Sequence, residues 1–526
     1  MFRTGLAFGL LALVGACGDA PSDGSTGTAG AAHDGPNVLL ISIDSLRADH
    51  CTPYGYQPEF APQELTTPFM NRLAQEGLLF ERASASSSWT LPSHLSLFSA
   101  QPPRAHGVRL GRQMLDRSQD EVRLAGQFQQ AGYATYGVWS APFLHPAYGY
   151  QGSSGEEFDR YISAEEYLRD GENSEIITNP QMRRMMEVHG LADATFDNAP
   201  RVNEIALAWL EEHEQDNEEP FFLFLHYWDV HYNYVPSDEM ARRFLPDFSE
   251  ADRALGEDFT PAHGDAEAPE YSAEQLSRLK ALYDAEIRAV DDAIAEVYAK
   301  LEELGIAEDT IVAVVSDHGD HFGEEHEGET HLFHHRTLFE EVVHIPFVVK
   351  APGAPAGKRV PGSVALYDVG PTLLDLAGLP AWEGVVGRSA RPLWEGSDDT
   401  GHEVLMDLLH PGAPTDTQAW RAGDFKVIWE FGFRPTNTAP DGVRPFLRAY
   451  NLAQDPRELA PITELAADDR IQSGQAAMQQ AAQQTTRAPQ MEKLPDTVQQ
   501  GLENTGYVDS LDSPQEDNGN DTGKPK

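Results

Sequence analysis

Three short apolar runs, each followed at once by polar residues, limit the folds open to this chain more than any other feature. They are Asn37–Ile43 before Asp44, Phe221–Leu225 before His226, and Ile311–Val315 before Ser316-Asp317-His318. Such runs are typical of strands buried on both faces, as in a parallel sheet. Ligands of open α/β sheets collect beyond the carboxyl ends of the strands, so we expect these polar residues to share one site.

Helix and strand signals between these runs extend the α/β pattern. Helices are expected between Thr67 and Gly77, over Leu124–Gln130 and over Asp368–Ala377, with extended chain over Ala134–Trp139. The acidic, periodic stretch Ser277–Leu304 is interpreted as a solvated surface helix without chemistry. From about Glu403, the pieces EVLMDL, FKVIWEF and LRAYNL indicate a small antiparallel sheet.

The domain organisation follows from these changes of pattern along the chain. We predict a signal peptide (1–16), a flexible tether (17–36), a catalytic domain (37–400), a C-terminal subdomain (401–462), a helical tail (463–508, with a short helix at Leu494–Leu502) and a disordered end (509–526).

The stretch from Ser86 to Val108 presents a hydroxyl at the start of a predicted helix. Leu91, Leu95 and Phe98 recur at helical spacing, and Pro92 is early enough to be tolerated, so Thr90 lies at or near the N-terminus. Free backbone N–H groups and the helix dipole suit an anion bound beside that hydroxyl. The plain alternative is that Thr90 is only a helix N-cap.

A metal-binding set is expected at the strand ends. Asp44, Asp317 and His318 are ligands of the kind that hold Mg²⁺, Ca²⁺, Mn²⁺ or Zn²⁺, and the Thr90 oxygen can complete the set. A metal ion there would acidify the Thr90 hydroxyl and attract an anionic ester. Taken singly, Asp44 and the Asp317-His318 pair are better explained as turn residues.

Two clusters are rich in histidine: residues 226–231 and residues 321–335. Histidine protonates a leaving oxygen near neutral pH or binds metal. From these clusters we select His226 and His334 as candidate acids; the remaining histidines are left open as surface residues.

Charge and the N-terminus bear on partners and location. With 84 acidic and 38 basic residues the formal charge is −46, which disfavours a nucleic-acid partner.

The N-terminus has one arginine, an apolar run from Leu6 to Val14, and Val14-Gly15-Ala16 before Cys17. It resembles a bacterial lipoprotein signal, with ordinary signal cleavage as the alternative. We therefore expect an exported, periplasmic or outer-membrane-anchored lipoprotein that touches the membrane only through lipid on Cys17. Cys51 is the only other cysteine.

Together these blocks resemble the sulfatase family of the alkaline phosphatase superfamily from about Asn37 to about Leu459. The resemblance rests on NVLLISIDSLRADH (37–50), WTLPSHLSLFSAQPPRAHGV (89–108), FFLFLHYWDVH (221–231), IVAVVSDHGDHFGEEH with HHRTLFEEVVHIPFVV (311–349) and DVGPTLLDLAGLP (368–380). It implies an alkaline-phosphatase-like α/β sandwich with a large mixed, mainly parallel sheet flanked by helices, and a small C-terminal antiparallel sheet.

The resemblance also implies roles for individual residues. Asp44, Asp317 and His318 fall on metal-ligand positions and Thr90 on the nucleophile, while His226 and His334 fall on positions that contact the anionic group or the leaving oxygen. Substrate-binding roles are expected for Arg47, His94 and His231. Arg47 has an alternative as a structural ion pair with Asp49 or another carboxylate.

Several departures from the family pattern point away from sulfate. Typical sulfatases carry Cys or Ser where this chain has Thr90, and oxidise it to formylglycine, so no formylglycine is expected here. An unmodified Thr resembles the members that act on phosphorus. Val138 and Ser140 stand where many sulfatases have a Lys and a His that grip sulfate, and Ser45 replaces the second Asp of a pair. A single divalent ion, Mn²⁺, Mg²⁺ or Ca²⁺ with Zn²⁺ possible, is implied.

The leading hypothesis is a metal-dependent hydrolase in which Thr90 attacks a sulfate or phosphate ester of a small molecule, glycan or lipid, with phosphoesters or diesters preferred. Two alternatives stay open: a transferase that passes the phospho group to an acceptor alcohol, and a binder of sulfated or phosphorylated glycans without turnover.

Overall fold

The computed structural model of the protein describes residues 35–111, 113–115, 122–151, 157–164, 199–216, 219–261, 270–396, 401–409, 416–431, 446–463, 468–483 and 490–491. The predicted signal peptide, the tether up to residue 34, the helix at Leu494–Leu502 and the disordered end lie outside these residues.

The strands within the described residues are β1 (Asn37–Ile43), β2 (Leu78–Ser84), β3 (Gln113–Met114), β4 (Ala134–Trp139), β5 (Arg160–Ser163), β6 (Phe221–Tyr227), β7 (Thr310–Ser316), β8 (Phe322–His326), β9 (Glu329–Leu332), β10 (His344–Ile345), β11 (Phe347–Lys350), β12 (Lys358–Ala365), β13 (Glu403–Leu408), β14 (Asp416–Ala422), β15 (Phe425–Phe431), β16 (Phe446–Asn451) and β17 (Gln490–Met491).

The α-helices within the same residues are α1 (Pro68–Glu76), α2 (Thr90–Ser99), α3 (Pro103–His106), α4 (Leu124–Gln130), α5 (Ala199–Asp216), α6 (Asp238–Phe244), α7 (Glu250–Glu257), α8 (Ala273–Leu304), α9 (Glu340–Val343), α10 (Val369–Leu376), α11 (Arg391–Glu395) and α12 (Asp469–Gln483).

In the larger sheet, β2 pairs with β12 on one side and with both β10 and β11 on the other. From β11 the order continues β7-β1-β6-β4-β5. The five strands from β7 to β5 pair in parallel, and only the short β10 and β11 run against their neighbours. The sheet is therefore mixed and mainly parallel, as the resemblance implies. The expected strands at Asn37–Ile43 and Ala134–Trp139 have the predicted bounds.

Two hydrophobic cores explain the unbroken apolar runs. Val38 and Leu40 of β1 belong to one core, and the alternating Leu39, Ile41 and Ile43 belong to the other. A strand covered on both faces needs apolar residues at successive positions. The run at Phe221 was expected to stop before His226, but β6 continues through Tyr227 because both residues are buried in the paired strand.

Helix α8 differs from its expectation. It was interpreted as a solvated surface helix, yet one face packs in the second core through Leu279, Leu282 and Ile287, and its Asp284 and Asp291 are also buried. One of these two carboxylates holds another element in place: Asp291 accepts the backbone N–H groups of Phe69 and Met70 at the start of α1.

The small antiparallel sheet has the order β13-β14-β15-β16. Three of its strands were expected; β14 was not, because Asp416–Ala422 reads DTQAWRA and lacks a clear alternation. Helix α12 packs Ile471 and Met478 against Trp420 and Phe425 of this sheet. Within the described residues, none of the helices is both long and apolar enough to cross a membrane.

Candidate active site

The carboxyl ends of three central strands bring the predicted site residues together. Ile43 of β1 pairs with Tyr227 of β6 on one side and with Ser316 of β7 on the other. Asp44 and Asp317 therefore leave neighbouring strands at the same level. The convergence expected from the sequence is confirmed.

The turn after β1 is fixed by helix α8. Ser45 has a positive φ of 56°, and its backbone N–H donates to Asp317 Oδ1 at 3.2 Å. The Tyr283 hydroxyl donates to the Ser45 carbonyl at 2.7 Å and accepts the Arg47 N–H at 2.9 Å. Sequence analysis missed Tyr283, because nothing in a long helical pattern marks one tyrosine as a support for a distant turn.

Asp44, Asp317 and His318 form a metal-ligating group. One potential ligand atom from each lies within 4.8 Å of the others, and all three residues are fully buried. Asp317 Oδ2 has no hydrogen-bond partner among the described residues. Burial, together with the Asp44 charge, raises the pKa of Asp317 well above its usual range. Two buried carboxylates and an imidazole are a donor set that fits a divalent cation.

His318 presents Nε2 to this group. Its Nδ1 donates to the Gly319 carbonyl at 2.9 Å, which fixes the ring and leaves Nε2 facing Asp44 and Thr90. Burial lowers the pKa of His318 to about 4, so the ring is a neutral ligand at neutral pH. A backbone partner on the second nitrogen is the usual support of a metal-binding histidine.

Thr90 lies at the edge of the metal-ligating group. Its Oγ1 is 3.4 Å from Asp44 Oδ2 and 3.4 Å from His318 Nε2. It is the first residue of α2, and the N-cap position before it belongs to Trp89, without a side-chain hydrogen bond. The position at the helix N-terminus is confirmed. The N-cap alternative is not what the structure shows, because the hydroxyl points to the strand ends.

His94 lies beneath Thr90, one helical turn further along α2. Its Nδ1 contacts the Thr90 carbonyl at 3.1 Å and Asp317 Oδ2 at 3.4 Å, and its Nε2 is 2.9 Å from the Ser42 hydroxyl. Burial lowers the pKa of His94 well below its usual range. These contacts are with the protein; substrate binding by His94 stays a prediction.

His226 is held by Ser140 across the β4–β6 pair. His226 Nδ1 donates to the Ser140 carbonyl at 3.2 Å, and the Ser140 hydroxyl donates to the His226 carbonyl at 2.9 Å. His226 Nε2 is 3.6 Å from Asp44 Oδ2 and has no hydrogen-bond partner among the described residues. Burial lowers the pKa of His226 to about 3, so this ring is neutral.

His231 and His334 meet in an aromatic group beside His318. The His334 ring is 4.5 Å from His318 and 4.9 Å from His231, measured between ring centroids. His231 stacks on Trp228 at 4.0 Å, and burial lowers its pKa to about 3. The structure thus brings both candidate acids, His226 and His334, next to the metal-ligating group; their roles stay predictions.

Arg47 is engaged by protein carboxylates. Its guanidinium makes two hydrogen bonds of 2.8 Å to Asp49, one of 2.8 Å to Glu324, and one of 3.0 Å to the Asp320 carbonyl. This is the ion-pair alternative that the sequence left open; substrate binding by Arg47 stays a prediction. A guanidinium with these partners is a structural element of the turn after β1.

The fold and the site define a class of α/β hydrolase that handles an anionic ester at the carboxyl ends of parallel strands. The sulfatase family model matches residues 36–379. The chain belongs to the sulfatase family, and it is a hydrolase of sulfuric or phosphoric esters.

Curated relatives agree with this assignment. Arylsulfatase K of Gallus gallus is 23% identical over 458 residues, which cover 81% of this chain and 79% of that protein. The multifunctional alkaline phosphatase superfamily protein PehA of Trinickia caryophylli is 25% identical over 455 residues, covering 76% and 80%.

Solved structures show the same fold. The phosphonate monoester hydrolase of Agrobacterium radiobacter superposes with a TM-score of 0.63 at 22% identity, over 87% of this chain and 100% of that one. The phosphonate monoester hydrolase from Silicibacter pomeroyi has a TM-score of 0.58 at 20% identity, over 85% and 94%. The expected sulfatase and alkaline-phosphatase-like fold is confirmed.

Proposed function

We propose that this protein is a metal-dependent hydrolase of phosphoesters in which the unmodified Thr90 hydroxyl is the nucleophile. The observation that carries the proposal is the position of Thr90 Oγ1, at 3.4 Å from both Asp44 Oδ2 and His318 Nε2. A nucleophilic hydroxyl needs a group that takes its proton or lowers its pKa. The Asp44 carboxylate is the acceptor toward which the Thr90 hydroxyl donates.

Asp44, Asp317 and His318 would hold one divalent ion, with Thr90 Oγ1 as a further ligand. When bound, the ion supplies a positive charge that lowers the pKa of the Thr90 hydroxyl and attracts the anionic ester. Sequence and geometry are compatible with Mn²⁺, Mg²⁺ or Ca²⁺, and with Zn²⁺.

The chain's own residues carry two half-reactions. In the first, the Thr90 hydroxyl gives its proton to Asp44 as Oγ1 forms a bond to phosphorus. The bond from phosphorus to the leaving oxygen breaks, and that oxygen takes a proton from the imidazolium form of His226 or His334. In the second, water attacks phosphorus and one of its protons returns to the histidine, while Thr90 Oγ1 leaves and takes its proton back from Asp44. An acceptor alcohol in place of water would make the same site a transferase.

Three positions support phosphorus over sulfate. Thr90 is not a substrate for the oxidation that yields formylglycine in typical sulfatases. Val138 and Ser140 replace the Lys and His that grip sulfate in many members, and the Ser140 hydroxyl donates to a backbone carbonyl. The family name of the relatives, arylsulfatase, keeps aryl sulfate as the competing substrate class.

The charges around Thr90 favour a monoanionic substrate, such as a phosphodiester or a phosphonate monoester. One divalent ion would balance Asp44 and Asp317, while burial keeps the pKa values of His226 and His318 low enough for both rings to be neutral. Among the described residues, the hydrogen-bond and ion-pair partners of Thr90, Asp44 and Asp317 include no lysine or arginine, so the second negative charge of a dianionic phosphate monoester would be poorly balanced in this buried site. The name of the phosphonate monoester hydrolase of Agrobacterium radiobacter agrees with this substrate class.

A substrate panel tests the proposal. Purified protein with each divalent metal is assayed on aryl phosphodiester, aryl phosphonate monoester, aryl phosphate monoester and aryl sulfate. We expect the monoanionic phosphorus esters to be the best substrates, and Thr90→Ala to lose at least about a thousandfold in kcat. Thr90→Ser is the matched control that keeps a hydroxyl; because typical sulfatases oxidise Cys or Ser at this position, the peptide mass of the variant is measured to show that the serine is unmodified.

Two results would contradict the proposal. Full activity in Thr90→Ala would remove the nucleophile, and activity on aryl sulfate alone would overturn the preference for phosphorus. A wild-type protein that binds these esters but turns over none of them would favour the non-catalytic binder.

We also propose that the protein is exported and anchored through lipid on Cys17. The support is the apolar run that ends in Val14-Gly15-Ala16 before the cysteine. Labelling of the protein with a fatty-acid analogue in a bacterial host, and loss of the label in Cys17→Ser, would support it; equal labelling of both would contradict it.

A further inference from the structure

A buried carboxylate, Asp320, lies beside His334, one of the two candidate acids. His334 Nδ1 is 3.3 Å from Asp320 Oδ1, and both side chains are fully buried. The other carboxylate oxygen, Oδ2, accepts the Tyr234 hydroxyl at 2.9 Å. Asp320 Oδ1 also accepts the His321 N–H at 3.1 Å. The carboxylate is thus fixed by two donors besides His334.

The segment that carries Asp320 has little freedom to shift. Gly319 before it donates its N–H to the Val342 carbonyl at 3.0 Å, and a Cβ at Gly319 would lie 2.2 Å from the Glu341 carbonyl oxygen. Arg47 donates to the Asp320 carbonyl at 3.0 Å. Tyr234 in turn packs its ring against Tyr283 and Phe322. The Tyr234–Asp320–His334 row is therefore built into the core.

The two candidate acids differ in what supports them. His226 Nδ1 has a neutral partner, the Ser140 carbonyl, whereas His334 Nδ1 has a carboxylate. A histidine that gives and regains a proton passes through the imidazolium form, which a carboxylate stabilises and a peptide carbonyl stabilises much less. The difference selects His334.

We infer that Asp320 is a positioning residue that holds His334 with its Nδ1–H toward the carboxylate, so that His334 Nε2 delivers the proton to the leaving oxygen, with Tyr234 orienting Asp320. The inference rests on the proposed function and names which histidine acts in it. The Nε2–H bond breaks, the proton goes to the leaving oxygen as its bond to phosphorus breaks, and the attacking water of the second half-reaction returns a proton to Nε2.

A leaving-group series tests this role. Wild type, Asp320→Ala, Asp320→Asn and Tyr234→Phe are compared on aryl phosphodiesters whose leaving phenols range from 4-nitrophenol to unsubstituted phenol. A good leaving group needs no proton, so we expect Asp320→Ala to lose only a few-fold in kcat on the 4-nitrophenyl ester and about a hundredfold on the phenyl ester. Asp320→Asn keeps the acceptor oxygen and should lose less, and Tyr234→Phe should lose least, both with the same trend.

The matched control is Asp291→Ala, which also removes a buried carboxylate that accepts two hydrogen bonds. This variant should leave the dependence on the leaving group as in wild type. The inference is overturned if Asp320→Ala loses kcat equally on all esters, or if Asp291→Ala shows the same dependence on the leaving group as Asp320→Ala. If Asp320→Ala does not fold, a wild-type dependence on the leaving group in both Asp320→Asn and Tyr234→Phe overturns it.

The outcome separates this inference from the proposed function. Full activity in Thr90→Ala would contradict the nucleophile whatever the leaving-group series shows. A flat series in the Asp320 and Tyr234 variants, with Thr90→Ala inactive, would overturn the role of Asp320 alone.

Discussion

Two groups of carboxylates in this molecule, one fully buried and one buried or half-buried, have opposite surroundings. The arginine cluster joins Arg104 and Arg109 to Asp407 and Asp416 of the small sheet, with an Arg104–Asp416 distance of 2.7 Å and further ion pairs from both arginines to Asp407. The carboxylate pair, Asp44 and Asp317, has His226, His94 and His318 as neighbours within 3.6 Å.

The different surroundings imply different roles for the carboxylate pair and the arginine cluster. A buried carboxylate is expensive to desolvate, and a guanidinium offsets that cost from within the chain. In the carboxylate pair the neighbours are imidazoles, and burial lowers the pKa of each of the three. The pair therefore stabilises the protein only when a cation from outside binds, whereas the arginine cluster fastens the small sheet by itself.

The largest effect is expected when the carboxylate pair is broken. Asp317→Asn should lower kcat/KM by about a thousandfold, because the ion's contribution to the transition state is worth about 4 kcal/mol. In metal-free buffer the same variant should unfold at the same or a higher temperature than wild type, since one of two like charges is removed.

Metal titration checks the second half of this prediction. Wild type should gain about 2.7 kcal/mol in free energy of unfolding at a metal concentration a hundred times the dissociation constant. Asp317→Asn should gain almost nothing. A variant that is less stable than wild type without metal would show that Asp317 is a structural residue.

The next largest effect is expected in the arginine cluster. There the change in stability has the opposite sign to that of Asp317→Asn in metal-free buffer. Asp407→Asn leaves two buried guanidinium groups with Asp416 as the remaining carboxylate, so the free energy of unfolding should fall by about 3 kcal/mol. Asp416→Asn is the comparison, and should cost less because Asp416 is partly exposed. Urea unfolding in metal-free buffer measures both. If Asp407→Asn were as stable as wild type, the contrast between the two groups would fail.

The smallest effect concerns a buried carboxylate with neither metal nor guanidinium. Asp291 accepts two backbone N–H groups of α1, and burial raises its pKa to about 7. The folded protein therefore holds a proton that the unfolded chain has lost, and stability falls as pH rises from about 5 to about 7. The loss from this group is on the order of 2 kcal/mol.

Comparing Asp291→Asn with wild type isolates that group. The variant should lose less free energy of unfolding than wild type between pH 5 and pH 8, because Asn has no proton to release. Urea unfolding at the two pH values gives the difference. Parallel pH profiles would mean that the amide donors keep the Asp291 carboxylate ionised throughout.

Much of the site could be predicted from the sequence for a physical reason. Strands buried on both faces are apolar at nearly every position, so their ends are visible from the first charged residues, Asp44 and Asp317. Parallel neighbours end at one edge of the sheet. The helix start at Thr90 was visible from the apolar spacing of Leu91 and Leu95, which sets where the helix begins.

The rest depends on contacts between distant segments. Asp320 lies two residues after His318, but its partner Tyr234 lies in a loop after β6. Nothing in the local sequence around either residue indicates that the two are in contact. The sequence suggested that Arg47 binds an anion, because its ion pair with Glu324 of the β8–β9 hairpin depends on a contact between distant segments. Strand β14 was hidden because polar residues are buried in it beside the apolar ones: Thr417, Gln418 and Arg421 are as buried as Ala419 and Trp420, so no apolar–polar alternation marks the strand.

The central claim is that an unmodified Thr90 takes the phospho group. The most direct measurement is peptide mass spectrometry of the protein before reaction and after acid quench during turnover of a phosphorus ester. Before reaction, we expect the peptide that contains Thr90 to have the mass of its encoded sequence; during turnover, it should gain the mass of the transferred phospho group at Thr90. Turnover with that group on another residue, or on no residue, would contradict the account.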